Sequence, residues 1–203
     1  KDINRAEDRH VFSALLDRLE VDQPAWVELS SLKQATKAAK ELGYPVLIRP
    51  SFVLSGAAMS VAFDEPSLVK FLKRATAVSS DHPVVISKFI ENAREIEIDG
   101  VAQNGDLVVY AITEHVENAG THSGDATVVT PPQRTYLETI RRAKGITKKI
   151  IKELKITGPF NMQFLAKHNT IQVIECNVRA SRSFPFVSKV TGRNFIREAT
   201  RRM

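Results

Sequence analysis

The sequence predicts an α+β, or mixed α/β, fold on three observations. From Glu95 the residues alternate strictly, with Glu95, Glu97 and Asp99 on one face and Ile96 and Ile98 on the other; this is the period of a strand. Asn104-Gly105 follows as a hairpin turn, and Leu107 to Ile112 return. Between residues 134 and 155, Leu137, Ile140, Ala143, Ile150, Ile151 and Leu154 recur mostly three and four apart, the period of an amphipathic helix. Antiparallel hairpins mixed with helices exclude a purely parallel or purely helical architecture.

The remaining elements follow in chain order. Val11, Phe12, Leu15, Leu16 and Leu19 form a helical stripe. Ser30 or Ser31 caps a second helix through Leu42, which Gly43 ends. Pro45 to Ile48 reads as a buried strand, 49 to 58 as a loop of small residues, and Met59 to Phe63 as the returning strand. Asp64 caps a helix with Pro66 in its first turn and Leu68, Phe71, Leu72 and Ala75 inside. Val84-Val85-Ile86 is a strand, and residues 115 to 125 form a loop rich in Gly, His and Ser. Phe160 to Ala166 and Ile171 to Cys176 make a second hairpin around residues 167 to 170, and Asn194 to Met203 closes as a helix. The division expected is an opening helical segment at 1–43, a small unit at 44–87 and a larger sheet unit at 88–203.

Composition narrows the class. With 203 residues, 43% hydrophobic and 26% charged, the chain can bury a core and is not a disordered or fibrous sequence. No apolar run approaches the roughly 18 residues of a membrane helix, and the opening residues do not read as a signal segment. One cysteine, Cys176, allows no internal disulfide and suits a reducing compartment. The net charge of +6 sits on one segment: residues 134 to 155 hold eight basic residues against Glu138 and Glu153, an excess equal to the whole net charge. A solvated helix face explains it, since Tyr136 is the only aromatic among those charges and single-strand binding needs stacking rings. No nucleic-acid or membrane partner is expected.

The second hairpin is the best chemical signal. If its turn has an odd number of residues, Gln163 faces Glu175, and Asn177 shares their side of the sheet. Three hard oxygen donors would then meet at one sheet end, as Mg²⁺ on a nucleotide phosphate requires. An even-numbered turn puts Gln163 on the other face. Arg179 and Arg182 follow closely and suit a phosphoryl or carboxylate oxygen. Gly120 to Asp125 is a small polar loop whose backbone could approach a ligand; its His and Ser lack a third partner for a nucleophilic triad. Cys176 reads as a small core residue, and Trp26 as packing.

Three strings then identify a family resemblance: Ile48-Arg49-Pro50-Ser51-Phe52-Val53-Leu54-Ser55-Gly56, residues 114 to 126 (Glu114-His115-Val116 through Gly124-Asp125-Ala126), and Glu175 to Lys189. They resemble the large synthetase chain of carbamoyl phosphate synthetase, more narrowly its second ATP-grasp unit in eukaryotic form, over nearly the whole chain. The resemblance implies an ATP-grasp fold, with a small lid unit and a larger antiparallel-sheet unit holding ATP between them. It implies an ATP-dependent ligase that phosphorylates carbamate to carbamoyl phosphate, with ATP, Mg²⁺ or Mn²⁺, and K⁺ as cofactors. Arg49 would reach the phosphates, Lys88 the adenine and α-phosphate, Ile90 the adenine, and Glu95 the ribose. Gly120, Thr121, His122 and Ser123 would line the nucleotide site. Gln163, Glu175 and Asn177 would hold metal, and Arg179 and Arg182 would face the transferred phosphoryl and the carbamate. Arg9 and Ser55-Gly56 would add phosphate contacts. Thr121 replaces a frequent Val, Ala57 replaces an Arg of some bacterial members, and Gly100 is unusual in its strand. The resemblance further implies other domains of the same chain, a glutamine amidotransferase partner, and a cytoplasmic or mitochondrial location. A different ATP-grasp ligase or carboxylase, or an ATP-binding module without turnover, are the alternatives.

Overall fold

The computed structural model describes residues 2–29, 32–50, 59–78, 84–121 and 125–203. The helices are α1 (Asp2–Glu7), α2 (Arg9–Arg18), α3 (Leu32–Leu42), α4 (Glu65–Val78), α5 (Leu137–Glu153), α6 (Phe184–Thr191) and α7 (Phe195–Thr200). The strands are β1 (Trp26–Leu29), β2 (Val46–Pro50), β3 (Ser60–Ala62), β4 (Val84–Lys88), β5 (Arg94–Gln103), β6 (Asp106–Asn118), β7 (Val128–Val129), β8 (Gly158–Lys167) and β9 (Thr170–Asn177). The α+β class stands. Ser30, Ser31, the loop 51–58, His122 and Ser123 lie outside the described residues.

Two compact units form, one of residues 1–7, 14–23 and 92–203, the other of 8–13 and 24–91. The expected opening segment 1–43 is therefore not a unit of its own. Its pieces are shared between the two because α3 buries Ala35, Ala38 and Ala39 against Val46, Ile48, Val84 and Ile86 of the smaller sheet.

The smaller unit is a four-stranded antiparallel sheet in the order β1-β4-β2-β3. Helices α3 and α4 cover it, with Ala62, Leu68, Leu72 and Ala75 completing the core. Gly43 ends α3 at φ +73°, as expected. Asp64 accepts the Ser67 backbone N–H at 2.8 Å and so caps α4, and the Ser67 hydroxyl faces the Asp64 backbone in return. Strand β1 was not anticipated; Trp26 opens it and packs edge-on against His10.

The larger unit is a five-stranded antiparallel sheet in the order β7-β6-β5-β8-β9. The β5–β6 turn is Asn104-Gly105, with φ of +51° and +84°, the left-handed pair that a two-residue hairpin requires. A Cβ on Gly105 would meet the Lys152 Cα of α5 at 2.7 Å, so helix and turn are in backbone contact. Gly100 has a similar cause: a Cβ there would lie 2.5 Å from the Phe160 ring on its cross-strand neighbour. The two faces of this sheet differ. Ile96, Ile98, Met162 and Phe164 are fully buried on one, where Thr147 of α5 touches the Met162 sulfur. On the other, Val101, Val109 and Ala111 pack under Phe184, Val187, Phe195 and Ala199 of α6 and α7. Helix α5 buries Ala143, Thr147, Ile150 and Ile151, but Leu137 stays exposed at its first turn. Helix α7 starts at an Asn194 cap whose side chain accepts the Arg197 N–H at 2.9 Å.

Gly105→Ala would force a side chain into the left-handed region and against the α5 backbone. It should cost about 2 kcal/mol, seen as a lowered midpoint in urea unfolding followed by circular dichroism. An unchanged midpoint would show that the turn tolerates both.

Candidate functional site

The site is built on the face of the larger sheet that also carries Val101. Antiparallel pairing lines up two rows across it. Thr113, Glu97, Gln163 and Glu175 form one, and Ala111, Asp99, Asn161 and Asn177 form the next. Gln163 thus faces Glu175 as expected, though by an unexpected route. The β8–β9 turn has two residues, His168 and Asn169, with Lys167 paired to Thr170. That even number alone would send Gln163 to the wrong face. A bulge at Ile174 inserts one extra residue between Val173 and Glu175 and restores the alignment.

Glu97 is the centre of the hydrogen bonding. Its Oε1 accepts from Gln163 Nε2 at 3.2 Å and pairs with His115 Nε2 at 2.9 Å, and its Oε2 accepts from Asn161 Nδ2 at 3.1 Å. A carboxylate only accepts, so each amide must turn its nitrogen to Glu97. The Gln163 carbonyl oxygen consequently faces away from Glu97. Asn161 Nδ2 also reaches Asp99 Oδ1 at 2.9 Å. Burial pushes the Asp99 carboxyl above its usual range, hydrogen bonds from Ser181, Ser183 and Asn161 oppose this, and nearby Glu97 adds to the rise. Burial works against a charged His115, but its hydrogen bond to Glu97 and the charges of Glu95, Glu97 and Glu117 outweigh it and raise its pKa. Glu95, Glu97 and His115 bring their ligand atoms within 4.8 Å of one another, close enough for a cation. In the structure His115 Nε2 is engaged by Glu97 Oε1, and Nδ1 faces Glu95 at 3.8 Å. Cys176, buried between Glu175 and Asn177, is pushed up to about 12 by burial and then by Glu175 and Glu7. It is a packing residue, as expected.

At the row ends, Glu175 is exposed, and Gln163 and Asn177 are buried. Arg179 Nη2 lies 3.3 Å from Asn177 Oδ1, and Arg182 Nη2 donates to the Ala126 carbonyl at 3.0 Å. Gln163, Glu175, Asn177 and Arg179 are thereby brought together. Glu95 is buried two residues before Glu97, with its carboxylate 3.8 Å from His115 Nδ1. Gly120 is exposed at φ +112°, and Thr121 is half-buried beside it. Arg49, Lys88 and Ile90 belong to the smaller unit and are half-buried there. The Lys88 ammonium donates to the Gly43 and Tyr44 carbonyls at 2.8 and 2.9 Å, holding the C-terminal end of α3. Arg9 is buried at the start of α2.

Sequence reasoning placed Glu97 and Asp99 on the right face but gave them no role, and assigned none to Asn161. His115 was expected in a loop; it lies in β6, which continues to Asn118. The segment after β7 is tied to the opposite face of β6. Glu114 is fully buried and receives the Arg134 Nε and backbone N–H and the Thr135 hydroxyl, each at 3.0 Å. Arg134 also donates to the carbonyls of His115 and Val116. Burial opposes the Glu114 charge, but these bonds hold its carboxyl below the usual range.

A small four-stranded α+β unit, together with an antiparallel sheet carrying carboxylate and amide rows beside an arginine loop, defines the ATP-grasp class. The biotin carboxylase domain of Hydrogenobacter thermophilus 2-oxoglutarate carboxylase, solved with MgADP and bicarbonate, has this fold at a TM-score of 0.85. It is 20% identical and aligns with 97% of this chain and 45% of its own. Biotin carboxylase of Campylobacter jejuni matches at 0.84 and 21% identity, over 99% of this chain and 46% of its own. The chain belongs to the carbamoyl-phosphate synthase L chain, ATP binding domain family, whose pattern spans residues 8–202. It is 59% identical over 199 residues to multifunctional protein URA2 of Saccharomyces cerevisiae, and 58% identical over 206 residues to the mitochondrial arginine-specific carbamoyl phosphate synthase large chain of Schizosaccharomyces pombe. Each alignment covers 98% of this chain but only 9% and 18% of those proteins.

Glu114→Gln should destabilise the chain by about 2 kcal/mol at pH 7, because it removes the charge of a fully buried carboxylate that accepts from three donors. The folded carboxyl is depressed, so its contribution is present above the unfolded value and is lost as pH falls through the folded value. The gap between parent and variant should therefore narrow as pH falls below the ordinary glutamate value of about 4.3, measured by thermal unfolding against pH. A constant gap would contradict this account.

Proposed function

We propose that the chain binds MgATP and transfers its γ-phosphoryl group to carbamate, forming carbamoyl phosphate and ADP. The observation that carries this reading is the meeting of Gln163, Glu175 and Asn177 beside Arg179 on one sheet face. The donor set fits Mg²⁺: all three ligands are hard oxygens, one is charged and exposed, and the Gln163 nitrogen is already engaged by Glu97. Bound there, Mg²⁺ or Mn²⁺ would neutralise phosphate charge; K⁺ is a proposed monovalent companion.

Arg49, Lys88, Ile90, Glu95, Gly120, Thr121, His122 and Ser123 are the proposed nucleotide residues. Lys88 spends two of its three N–H groups on the carbonyls that end α3, so one remains to donate. Arg179 and Arg182 would carry the positive charge facing the transferred phosphoryl. The carbamate oxygen forms the new P–O bond, the bond from the γ-phosphorus to the β–γ bridging oxygen breaks, and no proton must move. The chain therefore needs positioning and charge, and no general base. We further propose that it works within a longer polypeptide alongside a glutamine amidotransferase subunit or domain, in cytosol or mitochondrion. Among the described residues no helix is long and apolar enough to cross a membrane.

Calorimetric titration with MgATP should show binding that EDTA abolishes and that Glu175→Gln weakens about tenfold or more. Unchanged affinity and metal dependence in the variant would overturn the ligand assignment. ADP release with carbamate but not with bicarbonate separates this reading from another ligase or carboxylase.

A further inference from the structure

Asp99 is fully buried, and its hydrogen bonds, from Asn161 and from the Ser181 and Ser183 hydroxyls, involve no proposed metal ligand. Its Oδ2 accepts the Ser183 hydroxyl at 2.6 Å across 84 residues of sequence, while Oδ1 accepts Asn161. The Ser181 hydroxyl lies 2.9 Å from that of Ser183. Ser183 is the N-cap residue of α6, a position where serine ordinarily bonds a backbone N–H of its own helix. Here its side chain makes no such cap. The local stabilisation, typically about 1 kcal/mol, is forgone for a contact with the sheet.

That contact has a defined consequence. Residues 178–182 carry Arg179 and Arg182 and lie between two fixed points. One is Asn177, in register with Asn161 at the end of β9. The other is Ser183, held to Asp99, with Phe184 fully buried immediately after it. Asn161 bonds both Glu97 and Asp99, so one continuous network joins the carboxylate that orients Gln163 to the carboxylate that holds the arginine loop.

We propose that Asp99 and Ser183 are positioning residues for phosphoryl transfer: their hydrogen bond clamps the arginine loop at a fixed place beside Gln163, Glu175 and Asn177. This rests on the phosphoryl-transfer reading above. Neither residue touches the reactants. They act through Arg179 and Arg182, for which a displacement of about 1 Å can cost on the order of a hundredfold in rate.

The test compares the parent full chain with Ser183→Ala and Ser183→Thr, measuring ATP formed from carbamoyl phosphate and MgADP, the reverse of the proposed reaction. The alanine variant should lose about tenfold or more in kcat with the nucleotide KM within about twofold, and threonine, which keeps the hydroxyl, should restore kcat. Backbone hydrogen exchange over residues 178–183 should speed up in the alanine variant and return to the parent rate in the threonine variant. An active parent with an unaffected alanine variant overturns this inference alone. So does a loss that threonine fails to restore, or a fall in kcat matched by an equal loss of nucleotide affinity. An inactive parent chain overturns the functional reading, and the clamp's catalytic role with it.

Discussion

Glu97 sets the constraint on which the larger unit depends. A carboxylate this deeply buried is costly unless every oxygen is satisfied. Its donors come from the strands on either side: His115 on β6, and Asn161 and Gln163 on β8. The network therefore exists only when three strands are in one register. A slip of one residue would turn Glu97, Gln163 and Asn161 towards α5 and bring Ile96, Ile98 and Met162 to the polar face. Register and site chemistry are in this sense one requirement, enforced from one side by apolar burial and from the other by hydrogen bonds.

The same logic divides the polar face along its length. Glu95, Glu97 and Asp99 hold the polar end, and Val101, only two residues further along β5, already lies in the core with α6 and α7. Asp99 stands at that boundary. Its contacts point both ways, to Asn161 within the sheet and to Ser183 at the start of α6. A side chain at such a border can transmit the rigid register of the sheet to a loop that has little packing of its own. Arg179 and Arg182 are exposed, so beyond their contacts with Asn177 and the Ala126 carbonyl their placement draws on how the ends of residues 178–182 are held.

Much of this was legible because it is written in local periodicity. The alternation at 95–99, the Asn104-Gly105 turn and the helical spacing in 137–154 each reflect short-range sterics and one-sided burial. The pairing of Gln163 with Glu175 was legible only conditionally. Turn parity decides it in a regular hairpin, and the actual turn has the unfavourable parity. The bulge at Ile174 that rescues the pairing has no short-range signature, because it is fixed by what each strand must present to its neighbours. Strand β1 was missed for a related reason: four residues at a sheet edge carry too little pattern. Helix α6 was hidden by Pro185 and by a serine whose capping oxygen is used elsewhere. The role of Glu97 was invisible in the sequence, since its donors lie 18 to 66 residues away.

The concentrated positive charge of α5 shows why net charge was a weak guide to function here. Much of it is occupied within the larger unit. Arg142 donates to the Asn169 carbonyl in the β8–β9 turn, Lys149 donates to the Leu19 carbonyl, and Lys144 lies over the Tyr110 ring. Glu153, acidic among these bases, receives both Arg5 and Arg18 from the opening helices. Exposed ion pairs of this kind are each worth about 0–1 kcal/mol, too little to define the fold, and none reaches the carboxylate and amide rows. The cations proposed to act on phosphate, Arg179 and Arg182, lie in a stretch whose overall charge is unremarkable. What distinguishes them is geometry: they follow a strand whose register is fixed by buried hydrogen bonds, and they precede a helix whose N-cap residue is anchored to Asp99. A site that handles phosphoryl charge needs a few cations held in place more than it needs a basic surface, and that holding is done by carboxylates and amides that contribute nothing to a positive charge count.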